Sequence, residues 1–178
     1  MPGNKLRKTT RTKINGHDIV VAPPAEFDDD ERALFRCLVI EAGEVGGNAL
    51  DTNIENAKAL AFLYSQERVE GIAALKRPQM SYRNRISKNT GVLLSTEPLP
   101  YEFGYMFVRP VLQGKRLSFP LACATLDAAE GADIFATVRA DNIPSYRTLV
   151  KAGFEAAGSF PGREDREIAL FIRRSAIP

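Results

Sequence analysis

The stretch VRPVLQGKRLSFPLACATLDAAEG, Val108 to Gly131, constrains this chain more than any other. An apolar run, Tyr101 to Val108, leads into it and a helix-like segment follows, so a short turn joins a strand to a helix. The start of the helix directs unpaired N–H groups and the positive end of its dipole at that turn. Gly114 lets the backbone approach a ligand closely, and Lys115 and Arg116 add positive charge. Backbone amides and cations converging on one point make an anion site, and a phosphate-bearing ligand is its natural occupant.

A second signal lies downstream. Asp133 to Val138 (DIFATV) reads as a buried strand. In the segment that follows, RADNIPSYRTLVKAGFE, Asn142 suits a helix N-cap, and Pro144 falls in the first turn, where its missing donor is harmless. Tyr146, Leu149 and Val150 are expected on one face of that helix, and Gly153 ends it as a C′ glycine. Phe154 then opens another strand. From Tyr101 onward the order is strand, loop, helix, strand, short helix, strand, strand.

The pair QGKRLS and DNIPSYRTLVKAGF resembles the acetyl-CoA-binding core of the GNAT acyltransferase superfamily. That family carries a motif of the form Q/R-x-x-G-x-G/A at the end of its fourth strand, and Gln113 to Ser118 falls on it. Its second motif has an Asn, a short helix and then Gly-Phe, matched by Asn142, Gly153 and Phe154. The resemblance spans roughly residues 59 to 173. Arg116 and Ser118 depart from the small residues that the family prefers. A positive φ at Arg116 would cost about 1 kcal/mol or more. Ser118 is expected to serve as helix N-cap, and Arg116 to pair with a phosphate.

Composition narrows the classes. A chain of 178 residues with 44% hydrophobic and 26% charged residues is that of one globular unit. No apolar run approaches a membrane span, no secretory signal is visible at the basic N-terminus, and the expected compartment is the cytoplasm. Cys37 and Cys123 stand far apart in apolar helix-like context and are expected to be reduced and buried. A single histidine, His17, excludes His-rich metal sites and weakens any hydrolase that needs a His base. The net charge of +2 makes a nucleic-acid partner unlikely.

The cations are unevenly spread. Lys5, Arg7, Lys8, Arg11 and Lys13 make residues 1–16 either a solvated tail or an edge hairpin turned by Asn15-Gly16. Residues 71–96 hold Lys76, Arg77, Arg83, Arg85 and Lys88 with no acid beside them, and Tyr82 is interleaved. Two readings stand for this segment: a collector of an acidic acceptor or of part of the cofactor, with Tyr82, Arg83 and Arg85 binding substrate, or a solvated helix face.

The remaining elements are coarse. Asp18 to Ala22 reads as a strand, and Asp28 with Glu31 forms a capping box opening a helix to about Ala42, with Leu34, Cys37, Leu38 and Glu41 on one side. A weaker helix is expected over 48–58. Ala59 to Ser65 and Gly71 to Lys76 form a hairpin around Gln66 to Glu70, and 77–100 is a connection without clear period. Glu167 to Arg173 closes the fold. The expected architecture is α/β (α+β): helices flanking a central mixed, mostly antiparallel sheet of about six or seven strands, as the resemblance also implies. Within it 17–58 forms the N-terminal strand and helices, 59–108 the central strands, and 109–178 the cofactor-binding turn and C-terminal half.

The resemblance implies acetyl-CoA as co-substrate and transfer of its acetyl group to a primary amine. It implies that Met106, Phe107 and Val108 line the pantetheine, and that Gln113, Gly114, Lys115, Arg116, Leu117 and Ser118, with Asn142 and Ser145, complete the cofactor site. Glu102, the only acid on its strand, is the candidate base; alternation puts it with Gly104 and Met106, opposite Tyr101, Phe103 and Tyr105. Its alternative is a strand-end carboxylate paired with a nearby arginine. The family often places a Tyr acid seven residues after the motif Asn, where this chain has Leu149, so Tyr146 is the substitute candidate. The competing function is a non-catalytic module of the same fold that binds CoA or a macromolecule. The acceptor is expected to be a small molecule or peptide, and a homodimer remains open.

Overall fold

Asn15 and Gly16 turn the chain with φ of 49° and 80°, the two positive values that a two-residue hairpin turn requires. They join β1 (Thr10–Ile14) to β2 (His17–Ala22), so the basic N-terminal segment forms an edge hairpin from Thr10 onward. The computed structural model describes residues 9–43, 49–95 and 97–175, which leaves Lys5, Arg7 and Lys8 outside the described residues.

After β2 come α1 (Asp29–Glu41), α2 (Leu50–Glu55), β3 (Ala59–Ser65), β4 (Arg68–Lys76), α3 (Met80–Thr90) and β5 (Tyr101–Val108). They are followed by α4 (Ser118–Asp127), β6 (Ile134–Arg139), α5 (Ile143–Lys151), β7 (Glu155–Pro161) and β8 (Glu167–Arg173). Among the described residues, eight strands form one sheet in the order β1-β2-β3-β4-β5-β6-β8-β7. Its neighbours are antiparallel except β5 and β6, which run parallel and are joined through α4. The sheet has a strand more than expected because β1 adds an edge.

Two helical layers cover the sheet. Leu121 and Leu126 of α4 and Leu149 of α5 pack on Leu63, Leu75, Phe103, Ala136 and Phe171. On the other side Phe35, Leu38 and Val39 of α1 pack on Leu60, Phe62, Ile72 and Ala74. A third cluster joins Ile86 of α3 to Phe135, Leu170 and Ile172. Alternate residues of β3 therefore serve opposite layers, as the two-residue period of a strand dictates.

The capping box of α1 forms as expected: Glu31 N–H donates to Asp28 at 2.8 Å and Asp28 N–H to Glu31 at 2.9 Å. The buried face of that helix differs. Phe35, Leu38 and Val39 point inward, leaving Leu34, Cys37 and Glu41 outside. Cys37 is therefore exposed rather than buried, and Cys123 is half-buried. In α5 only Leu149 is fully buried, while Val150 stays half exposed at 50%.

The largest departure is α3, where no periodicity was legible. Its buried residues are Arg83 and Ile86, so one of its two inward positions is a cation and the apolar stripe is missing. Gly91, at φ 72°, ends it in the left-handed conformation.

Candidate active site

The parallel ladder between β5 and β6 is short. It pairs Tyr101 with Ile134, Glu102 with Phe135 and Phe103 with Ala136, and then stops, although β5 runs on to Val108 and β6 to Arg139. Past that point the strands part. Phe103 to Met106 line one wall of the resulting cleft and Ala136 to Arg139 the other, with Asn142 and Ser145 of the α5 N-terminus at its edge. The cleft measures about 490 Å³, a size suited to a cofactor.

A bulge re-aims β5 inside this cleft. Ile72 pairs with Phe107 and Ala74 with Gly104, so Tyr105 and Met106 together oppose Ala73. Tyr105 takes φ 52°. The extra residue reverses the alternation after Gly104. Tyr105 shares the α1 side with Phe107, and Met106 packs with the α4 side beside Phe103. The expected grouping of Glu102 with Met106, opposite Tyr105, is thus corrected: Tyr105 lies over Lys76, 4.7 Å from its ammonium, and Lys76 is the ladder partner of Glu102.

At the end of β5 the chain enters the anion turn. Gln113 folds back and donates from Nε2 to the Val108 carbonyl at 3.2 Å. Gly114 has φ 83°, with no atom within 4 Å of where a Cβ would sit. Lys115 and Arg116 are exposed, and Arg116 does adopt the positive φ, 57°. Leu117 is 2% exposed and anchors the turn in the core. Ser118 is the first residue of α4 rather than its cap; Leu117 holds the cap position, and no side chain caps the helix. The first N–H groups of α4 are left without a side-chain acceptor, which suits an anion.

Beside the cleft lies a buried polar cluster. Glu102, 1% exposed, faces Lys76 at 3.0 Å through one oxygen. Its other oxygen accepts from the Tyr82 hydroxyl at 3.1 Å and from the Thr137 hydroxyl at 2.9 Å. Burial, then the Glu102 carboxylate, push the Tyr82 phenol well above its ordinary range. Burial alone would lower the Lys76 ammonium, but the Glu102 carboxylate outweighs it and the net shift is upward. Lys76 therefore stays charged and Tyr82 stays protonated at neutral pH. A second cavity of about 320 Å³ opens here and shares Lys76, Tyr82, Tyr105 and Arg163 with the cleft.

No protein-family model matches this sequence, and no curated protein matches it. Solved structures do. A GNAT-family acetyltransferase from Streptococcus agalactiae superposes with a TM-score of 0.64 at 14% identity, over 93% of this chain and 99% of that one. The chain has the GNAT fold. ElaA of Escherichia coli matches with a TM-score of 0.62 at 12% identity over 89% of this chain and 99% of its own. Naa50 of Arabidopsis thaliana, in complex with the bisubstrate analogue CoA-Ac-MVNAL, matches at 0.64 and 14% identity over 87% and 97%.

The expected site residues divide clearly. Met106, Asn142 and Ser145 line the cleft, and the Asn142 side chain caps α5 by accepting from Ser145 N–H at 3.3 Å. Phe107 and Val108 are not among the described residues that line the cleft: Phe107 faces the α1 layer and Val108 the α4 layer. Tyr82 and Arg85 border the second cavity. Arg83 does not. It is 1% exposed and donates to the carbonyls of Pro78, Leu99 and Pro100 at 3.1, 2.6 and 2.7 Å. Its charge ties α3 to the start of β5 and is closed to substrate.

Tyr146 stands edge-on to Phe171 with ring centroids 4.8 Å apart and is absent from the cleft wall, where Leu149 lies instead. Glu102 is paired with a lysine, not an arginine, and is buried rather than at an exposed strand end. Lys76, read only as one cation of the basic segment 71–96, and Thr137, not singled out, are the partners of Glu102 that sequence reasoning did not assign to it. Both meet Glu102 through ladder register: Lys76 lies opposite it on β4, and Thr137 follows on β6, two residues beyond the Glu102 partner Phe135. No local pattern carries that information.

Proposed function

We propose that this protein is an acetyl-CoA-dependent N-acyltransferase that moves the acetyl group directly to a primary amine. The observation that carries the reading is the parting of β5 from β6 after Phe103 and Ala136, with the anion turn at the end of β5 and the buried Glu102 cluster beside the opening. The open Gly114, the exposed Lys115 and Arg116 and the uncapped start of α4 fit a pyrophosphate. That Naa50, of the same fold, is in complex with a CoA-bearing analogue supports a CoA co-substrate here.

Acetyl-CoA supplies the activated acetyl group as a thioester. The remaining requirements fall to the chain: a route for the amine proton, donors for the developing oxyanion, and a proton for the departing thiolate. Glu102 is too buried to meet an acceptor amine itself. Tyr82 reaches both the cleft and the second cavity, and its hydroxyl donates to Glu102. In the proposed relay the Tyr82 oxygen receives the amine proton as its own passes to Glu102 Oε1, so Glu102 is the base and Tyr82 the conductor. The bulge at Tyr105 and Met106 interrupts the β4–β5 ladder, and backbone of β5 there would serve as donor to a thioester carbonyl bound in the cleft. Tyr146 packs against Phe171 and is not among the described residues of the cleft wall, so in this reading solvent in the cleft protonates the thiolate.

Calorimetric titration with acetyl-CoA tests the cofactor part, with wild type beside Gly114→Glu and Arg116→Glu. Binding by wild type that both changes abolish supports it; no binding by wild type rejects it. Release of CoA thiol in the presence of amines then tests the relay. Tyr82→Phe and Glu102→Gln should each lower the rate at least tenfold while acetyl-CoA binding is retained.

A further inference from the structure

The second cavity carries chemistry that amine transfer alone does not use. Glu102 is the one carboxylate among its described lining residues, and Lys76, Tyr82 and Thr137 already engage it. Around it stand three more cations, Arg77, Arg85 and Arg163. Arg77 is held against the wall, donating to the carbonyls of Asn56 and Ala57, both at 3.1 Å, and stacking over Tyr101. Arg85 and Arg163 differ. Among the described residues neither has a carboxylate partner, and Glu164, next to Arg163, pairs with Arg166 at 3.3 Å.

Arg85 stacks on the ring of Tyr82 at 5.5 Å, the side chain whose hydroxyl meets Glu102. Arg163 comes from the turn between β7 and β8 and borders both cavities. Val39 and Leu50, both buried in the core, lie behind the lining of this cavity. A volume of about 320 Å³ lies at the small end for ligand pockets and suits a compact molecule better than a length of peptide.

We propose that the acceptor is a small amine that also bears a carboxylate, with the carboxylate held by Arg85 and Arg163 and the amine presented to the Tyr82 hydroxyl. Planar guanidinium groups on two elements recognise a carboxylate through paired charge-assisted hydrogen bonds. The assignment rests on the acyltransferase reading for what becomes of the amine, but the anion preference is a binding property and is measured without turnover.

The test is calorimetry on the CoA-saturated protein with a set of amino acids, each beside its amide counterpart, and with a diamine of similar length. The expected result is that at least one amino acid binds about tenfold or more tighter than its amide and than the diamine. Arg85→Gln with Arg163→Gln should erase that difference while the unfolding midpoint is unchanged. Amides or the diamine binding as tightly as the amino acids would overturn the proposal, as would a preference that survives both substitutions, or no binding of any of them. Titration of CoA in the same cell separates the two failures. CoA binding without anion preference removes this inference alone, and absent CoA binding removes the acyltransferase reading.

Discussion

Lys76 and Glu102 are direct partners in the β4–β5 ladder, and their side chains meet at 3.0 Å with the carboxylate almost wholly out of solvent. The pair sits where the sheet is about to open: Lys76 borders both cavities and Glu102 borders the second. A buried charge of this kind is stable only with its partner and its hydrogen bonds in place.

Lys76→Met should therefore destabilise the protein by about 3–5 kcal/mol, because it leaves Glu102 buried without its cation. Adding Glu102→Gln should recover part of the loss, since the amide oxygen still accepts from Tyr82 and Thr137 while the charge is gone. Urea unfolding of the two variants and wild type measures both effects. A double variant less stable than Lys76→Met would contradict this account.

Stability should fall on the alkaline side from about pH 10. Lys76 and Tyr82 both have folded pKa values above their ordinary ones. At high pH the unfolded chain loses these protons before the folded chain does, so stability is fully present below the unfolded values and declines as pH rises through the folded ones. The Lys76→Met/Glu102→Gln variant should show a shallower alkaline limb in urea midpoints taken from pH 8 to 11. On the acid side the Ser175 N–H, then Arg174, hold the Asp133 carboxyl below its ordinary value. Its contribution is lost as pH falls through that lowered value, and Asp133→Asn should remove it.

Arg83→Met should destabilise by about 3 kcal/mol or more, because three carbonyls lose a charged donor inside the fold. Arg83→Lys should not rescue it, since an ammonium cannot reproduce a fork that reaches Pro78, Leu99 and Pro100 together. Arg85→Met, two positions on and exposed, should shift stability by no more than about 0.5 kcal/mol. Thermal midpoints of the three variants separate a structural arginine from a ligand-facing one.

Arg116→Gly should have effects of opposite sign. The residue holds φ 57°, which glycine adopts freely. Relief of that conformation exceeds the entropy glycine adds to the unfolded chain, for a net gain of about 0.5 kcal/mol. Affinity for acetyl-CoA should drop, because the cation leaves the turn. Unfolding and calorimetry on one preparation read both.

Elements whose signals are local were legible in the chain alone. The Asn15-Gly16 hairpin, the Asp28–Glu31 capping box, the Asn142 cap of α5 and the strand–turn–helix at Val108 to Ser118 each depend on residues within a few positions of one another, where backbone preference and capping chemistry act. The α3 helix left no clear period in the sequence, because Arg83 occupies an inward position that periodicity expects to be apolar. The face of β5 beyond Gly104 was misread because a bulge depends on how two strands share hydrogen bonds and leaves no mark on the alternation of one of them. The pairing of Glu102 with Lys76, Tyr82 and Thr137 likewise joins residues up to 61 positions apart, from Lys76 to Thr137. Contacts of that range follow from strand register and from which layer covers each face, and those exist only once the chain is packed.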